Sequence, residues 1–362
     1  MNQRTILLNP GPVTLTERVR HALLQEDQCH RELEFAELVL DIKHRLLDVY
    51  PAAQSRYEAI LLTGSGTCAV EAMLNTLAPR ERTTLVICNG VYGERMVAML
   101  QAAARPVAAV HSAWADPMDL DETERLLKKR PDISHVAAVH NETTTGRRND
   151  IQGLADLCKQ YGKVLLLDAV SSFAGERLDF DTWQPLAVAA AANKCLHGVP
   201  GIAFVMVRSR QITEGKSQAG TLYLDLFRYH NEQQTGFSPF TQAVHACHAL
   251  QEALRELDDQ GGWKARYRRY RDLSTRIRET LNGLGIRRFL AEVDYSAMIS
   301  SFYLPPGWDY PALHDVLREE GFVIYAGQGN LHKTMFRIAN MGDIRNTDLD
   351  RLFGVFADRV CQ

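Results

Sequence analysis

The sequence predicts an α/β protein, with a large domain built on a mostly parallel sheet and a smaller C-terminal α+β domain. Short apolar runs alternate with helical patterns through the first two thirds of the chain, which is the pattern of a sheet covered by helices on both faces. Near residue 241 the texture changes to two long helical patterns followed by a few further strands. At 362 residues the chain is also too long for one ordinary core. The expected division is an N-terminal segment over residues 1–15, a large domain over 16–260 and a small domain over 261–362.

Seven apolar runs supply the strands of the large domain: "AILLT" (59–63), "TLVIC" (84–88), "PVAAV" (106–110), "HVAAVH" (135–140), "KVLLLD" (163–168), "LAVAAA" (186–191) and "IAFVMV" (202–207). Between them "CAVEAMLNTLA", "ERMVAMLQAAA" and "IQGLADLCKQYG" have helical spacing, and the last ends on Gly162 as a helix should. In the C-terminal third, "TQAVHACHALQEALRELDDQGG" and "WKARYRRYRDLSTRIRETLNGLG" predict two long helices. The strands "MISSFYL", "FVIYAG" and "TMFRIAN" follow, with helices "YPALHDVLREEG" and "TDLDRLFGVFADRV". The six arginines between Arg266 and Arg278 read as a solvated helix face.

Composition narrows the function. Lys and Arg total 41 against 44 Asp and Glu, a formal charge of −3, so the basic excess that nucleic-acid binding requires is missing. Cys29, Cys68, Cys88, Cys158, Cys195, Cys247 and Cys361 are an odd, scattered set without CxxC spacing, which points to a reducing cytoplasm rather than a disulfide framework or a zinc knuckle. The stretch "MNQRTILLNPGPVTLTERV" breaks at Pro10-Gly11-Pro12 before a signal-like apolar run develops. No run of about 18 apolar residues follows, so neither export nor a membrane is expected. His245 and His248 share a helix face but read as a satisfied or exposed pair, and no metal is expected.

Ligands of open α/β sheets collect at the carboxyl ends of the strands, where four features converge. "GSGTCAVEAM" places Ser65, Gly66 and Thr67 at the start of a helix, a setting that favours a phosphate. Tyr92 in "NGVYGERM" offers a ring face. Asp168 ends a fully apolar strand, and Lys194 follows "LAVAAA". Each has a plain alternative: a strand-to-helix turn, a core tyrosine, an N-cap aspartate, a lysine whose stem covers apolar surface. Together and in this order they match the needs of pyridoxal 5′-phosphate, with a lysine to bond it, a carboxylate to hold its ring nitrogen protonated and a cradle for its phosphate. A dinucleotide fingerprint fits less well, because no Asp or Glu follows "GSGTCA" about twenty residues on.

The sequence resembles the fold-type I pyridoxal-phosphate aminotransferases of the branch that contains the alanine–glyoxylate, serine–glyoxylate and 2-aminoethylphosphonate–pyruvate enzymes. The likeness runs over nearly the whole chain, through "LLNPGPVTLTERV", "LLTGSGTCAVEA", "NGVYGERM", "HNETTTG", "LLLDAVSSFAG", "AANKCLHGVPG", "LYLDL" and "EEGFVIYAGQG…MFRIANMG". Within the branch "SSFAG", "NKCLHGVPG", "LYLDL" and "GFVIYAG" are most similar to the phosphonate enzymes, whereas "CHRELEF" looks more like the glyoxylate ones. The resemblance implies transfer of an amino group between 2-aminoethylphosphonate and pyruvate, with alanine– or serine–glyoxylate transfer as the alternative. It gives Lys194 the covalent bond to the cofactor and Asp168 the ring nitrogen. Ser65, Gly66 and Thr67 receive the phosphate, Tyr92 stacks on the ring, Val170 lines the ring site and Thr143 bonds the phenolic oxygen. It also implies a homodimer with shared sites, in which Ser238 or Thr241 of "FSPFTQ" reaches the neighbour's phosphate. Arg337 would grip the substrate's acid group. Arg31 is the candidate second cation for a phosphonate; its alternative is a surface pair with Glu32 or Glu34.

Overall fold

The computed structural model describes residues 4–361. Its strands, in chain order, are β1 (Ile6–Leu7), β2 (Tyr57–Gly64), β3 (Thr83–Cys88), β4 (Val107–His111), β5 (Ile133–Val139), β6 (Asn141–Glu142), β7 (Arg147–Arg148), β8 (Val164–Asp168), β9 (Ala187–Ala191), β10 (Gly201–Arg208), β11 (Ile299–Tyr303), β12 (Phe322–Val323), β13 (Tyr325–Ala326) and β14 (Met335–Ala339). All seven apolar runs of the large domain are strands, and they form one sheet in the order β2-β10-β9-β8-β5-β3-β4. Only β10 runs antiparallel to its neighbours.

Both faces of this sheet are buried, which is why its strands are continuous apolar runs rather than alternating ones. Leu165 and Leu167 of β8 join one core with Ile87, Val136, Val188 and Phe204; Leu166 between them joins the other with Val86, Ala137 and Val205. Helices close both faces with local signals that the sequence carries. The Asp150 side chain caps helix Ile151–Gln160 by accepting from the Gly153 N–H at 3.0 Å, and Gly162, at φ +60°, turns the chain back into β8.

A third core lies in the C-terminal unit, where Leu273, Ile277, Phe302, Leu313, Phe322, Phe336, Leu349 and Phe356 pack together. Ile6 and Leu8 belong to this same core, because β1 pairs in parallel with β12. The run "FVIYAG", expected as one strand, is two: β12 bonds β1, and after Ile324 β13 bonds β14. The long helix Gly262–Gly283 also departs from expectation, since two of its arginines are interior. Arg266 is 2% exposed and donates to the Cys195 carbonyl at 2.8 Å; Arg278 is 4% exposed, donates to the Ser300 hydroxyl at 3.1 Å and pairs with Glu292 at 2.6 Å. Guanidinium groups with this many acceptors can be buried without an orphaned donor.

Candidate active site

Because β10 alone is reversed, β2, β3, β5, β8 and β9 all deliver their carboxyl ends to one edge of the sheet. A cavity of about 490 Å³ opens there, lined by Gly64, Ser65, Gly66, Thr67, Val70, Tyr92, Arg95, Met96, Met99, Asp168, Val170, Asn193, Lys194, Pro200 and Gly201. Seven of the residues picked from the sequence therefore meet in one place: Ser65, Gly66, Thr67, Tyr92, Asp168, Val170 and Lys194.

Ser65 is the N-cap of helix Gly66–Leu77, and its side chain makes no capping bond, so its hydroxyl and the Gly66 and Thr67 N–H groups, unbonded among the described residues, are open to an anion. A Cβ on Gly66 would lie 2.5 Å from Val170 Cγ1, so glycine is what allows this turn and Val170 to abut. Tyr92 lies in the first turn of helix Val91–Ala102, with the Arg95 guanidinium 4.7 Å from its ring centroid and Arg95 Nη1 3.4 Å from the Thr67 hydroxyl.

Asp168 is 5% exposed, and one carboxylate oxygen accepts from the Val170 N–H at 2.9 Å. Burial pushes its pKa up to about 6, against the lowering pull of that N–H and of Arg95 and Lys194. Lys194 stands nearby with its pKa brought down to about 8, again by burial, while Cys195 and Asp168 favour its charge. Its ammonium donates to the Pro10 carbonyl, and a Cβ on Gly11, at φ +96°, would fall 2.5 Å from Lys194 Cδ. Glycine at 11 thus leaves room for the lysine. Cys195, the next residue, points away from the cavity, its thiol donating to the Ser171 carbonyl at 3.2 Å and lying against Met341.

Arg337 is 2% exposed on β14, facing away from the core that takes Phe336 and Ile338. Its Nε and Nη2 donate to the Ala326 carbonyl at 2.9 and 2.7 Å, and Nη1 donates to the Thr143 carbonyl at 2.5 Å. No carboxylate forms an ion pair with it among the described residues; burial disfavours its charge, and the Tyr92 hydroxyl and the Glu142 carboxyl only partly offset that. Thr143 is buried beside it, and its own hydroxyl makes no hydrogen bond among the described residues. Arg337 and Thr143 lie outside the cavity lining, and so do Ser238, Thr241 and Arg31. Ser238 is buried with its hydroxyl accepting from Gln242 at 2.7 Å, and Thr241 and Arg31 are exposed. His248 bonds Gln28 at 3.0 Å, and His245 lies 3.8 Å from Asp27.

The family model of class-V aminotransferases matches residues 20–346. The chain belongs to the class-V aminotransferases. It is 37% identical, over 98% of both chains, to a 2-aminoethylphosphonate–pyruvate transaminase of Bacillus cereus, and 37% identical over 99% of both to one of Bacillus cytotoxicus. Among solved structures it is similar to an aspartate aminotransferase of subgroup IV from Thermus thermophilus, with a TM-score of 0.88 and 27% identity over 98% of both chains. An alanine–glyoxylate aminotransferase from Nostoc sp. shares the fold, with a TM-score of 0.91 and 24% identity over 99% of this chain and 95% of that one.

Class-V aminotransferases use pyridoxal phosphate, and the cavity fits that group. Asp168 is a buried carboxylate without an ion-pair partner among the described residues, which a protonated ring nitrogen would supply, and the uncapped turn at Ser65 to Thr67 suits the phosphate. When bound, the cofactor supplies a sink for the electron pair left when a proton departs from the amine-bearing carbon. Arg95 escaped the sequence analysis. Its signal was present, three residues after Tyr92 in a helical pattern and so on the same face.

Proposed function

We propose that this class-V aminotransferase transfers the amino group between 2-aminoethylphosphonate and pyruvate, giving phosphonoacetaldehyde and alanine. The carrying observation is Arg337, a buried guanidinium with no carboxylate partner, in a chain whose curated relatives at 37% identity bear that activity in their names. Each substrate has an acid group remote from the reacting carbon or beside it, and one fork serves both in turn. Lys194 is the residue placed to move a proton at the reacting carbon: its amine, neutral above about pH 8, can take that proton from the substrate. Asp168 would hold the ring nitrogen, Tyr92 would cover one ring face, Thr143 would bond the phenolic oxygen, and Ser65 to Thr67 would bind the phosphate.

An amine screen tests the substrate: the loaded enzyme's visible absorbance should be lost faster with 2-aminoethylphosphonate than with alanine or serine. Faster turnover of alanine or serine with glyoxylate than of 2-aminoethylphosphonate with pyruvate would overturn this reading. Arg337→Ala should raise KM for both acids by between about ten- and a hundredfold, the span expected for losing a charge-assisted pair. Arg31→Ala should weaken the phosphonate more than pyruvate, since Arg31 is an exposed arginine with no ion pair among the described residues and a dianion gains more from a second cation.

The working unit proposed is a homodimer. Thr241 is exposed and therefore free to reach a neighbour, and Leu222 and Tyr223, 59% and 40% exposed, offer apolar surface in the same region, where Tyr223 packs on Phe240 at 5.1 Å. Mixing Lys194→Ala with a Ser238→Ala/Thr241→Val variant should form hybrids with one intact site, restoring about a quarter of wild-type turnover by random pairing of a two-fold dimer. An active monomer in sedimentation at assay concentration would refute the shared site. Seven free thiols, four of them buried, are in keeping with a reducing cytoplasm, and no helix among the described residues is long and apolar enough to cross a membrane.

A further inference from the structure

The hairpin β6–β7 touches three separate parts of the site. Its base is tied to β8, where the His140 N–H donates to the Asp168 carbonyl at 2.9 Å. Its turn meets the small unit, where the Ser301 hydroxyl donates to the Thr145 carbonyl at 2.6 Å and the Ser296 N–H donates to the Gly146 carbonyl at 2.9 Å. Between these points lie Glu142, Thr143 and Thr144, and Thr143 already holds Arg337 through its carbonyl.

Glu142 is fully buried. Oε1 accepts from the Thr144 N–H at 3.0 Å and from the Thr144 hydroxyl at 2.6 Å; Oε2 completes no hydrogen bond among the described residues, while the Gly93 N–H in the first turn of the facing helix favours the charged carboxyl. The Thr144 hydroxyl in turn accepts from the Val91 N–H at 3.0 Å and lies 3.3 Å from Gln328 Oε1. Val91 opens the helix that carries Tyr92 and Arg95, whose N-cap is Gly90 without any side chain to cap it. A Cβ on Gly90 would sit 2.2 Å from Glu142 Cδ, so the carboxyl group fills the place where the helix's own cap would stand. Glu142 and Thr144 thus cap the Tyr92 helix from another part of the chain.

We propose that Glu142 is a positioning residue: through Thr144 it fixes the start of the Tyr92 helix, and through the adjoining Thr143 carbonyl it fixes Arg337, so that the ring-stacking face and the acid-binding fork keep one register. This rests on Arg337 binding the acid group. The two jobs meet in consecutive residues of one turn, closed by the Gly146 N–H donating to the Glu142 carbonyl at 2.9 Å. Tilting the turn therefore moves the Arg337 acceptor together with the helix start.

The test compares Glu142→Ala, Thr144→Val and Glu142→Gln as loaded enzymes, reading kcat and KM for pyruvate and the dissociation constant of phosphonoacetate, a probe that carries acid groups but no amine. Glu142→Ala and Thr144→Val should each weaken the probe and raise KM about tenfold, with kcat within about threefold, as expected when a binding geometry rather than a reacting group is lost. Glu142→Gln should recover part of that affinity, because its amide oxygen can still accept both Thr144 bonds although its NH2 finds no acceptor at the Oε2 position. Thr144→Val is nearly isosteric and decides the matter if Glu142→Ala fails to fold. Loaded variants that bind the probe within about twofold of wild type, or that lose kcat at constant KM, overturn the proposal. Arg337→Ala is the control. If it binds phosphonoacetate normally the acid-site reading itself fails, whereas loss there with normal binding in the Glu142 and Thr144 variants removes only the coupling.

Discussion

Lys194→Ala should abolish transamination while leaving a protein that still takes up pyridoxal phosphate without a covalent bond. Among the described residues the lysine is the only amine lining the cavity, so no neighbour there can replace it in bonding the cofactor or in moving the proton at the reacting carbon. Borohydride reduction of the wild-type enzyme should fix the cofactor on the peptide containing Lys194, and a label on another lysine would refute the assignment. The same amine makes loading pH-dependent. Burial lowers its pKa to about 8, so the fraction of nucleophilic neutral amine grows as pH rises toward that value and levels off above it. The rate of absorbance change on adding pyridoxal phosphate to cofactor-free protein should follow that curve. A flat profile between pH 6.5 and 9 would mean that another group limits attachment.

The large sheet was legible in the sequence because strands buried on both faces must be apolar throughout, and each run from "AILLT" to "IAFVMV" stands between turn residues or helical patterns. The cavity-lining residues were legible for a related reason, since Asp168 ends such a run and Ser65, Lys194 and Tyr92 stand two, three and four residues beyond one. What stayed hidden depends on partners distant in sequence. Nothing in "FVIYAG" says that its first two residues pair with Ile6 and Leu7 and its later ones with β14. The arginine-rich helix looked solvated because the acceptors that bury Arg266 are the Cys195 and Leu196 carbonyls, some seventy residues away. Glu142 was hidden in the same way: its role is readable only once Gly90 and Thr144 are seen around it. Arg337 was the intermediate case. Alternation with Phe336 and Ile338 put it on the other face of its strand but did not say that this face is closed over by Thr143 and Ala326.

Asp168→Asn should separate stability from catalysis in opposite directions. In the protein without cofactor the carboxyl group is buried with one N–H donor and has a pKa of about 6 against an ordinary 3.8. Between those values the unfolded chain releases a proton that the folded chain retains, so stability falls as pH rises through this window and stays low above it. A shift of this size corresponds to about 3 kcal/mol at most, and asparagine, with nothing to ionise, escapes it. Denaturant unfolding of the cofactor-free variant should therefore show higher stability than wild type at pH 7.5, with the difference vanishing near pH 4. Catalysis should move the other way. A protonated ring nitrogen needs the negative charge that Asn lacks, so turnover should drop by roughly a hundredfold or more, the scale of removing one aligned electrostatic group. Near-normal turnover in the loaded variant would refute the ring-nitrogen role, and an unchanged or lower cofactor-free stability would refute the burial argument. The carboxylate is costly in the empty cavity for the same reason that it is useful in the loaded one: it is a buried charge whose partner arrives with the cofactor.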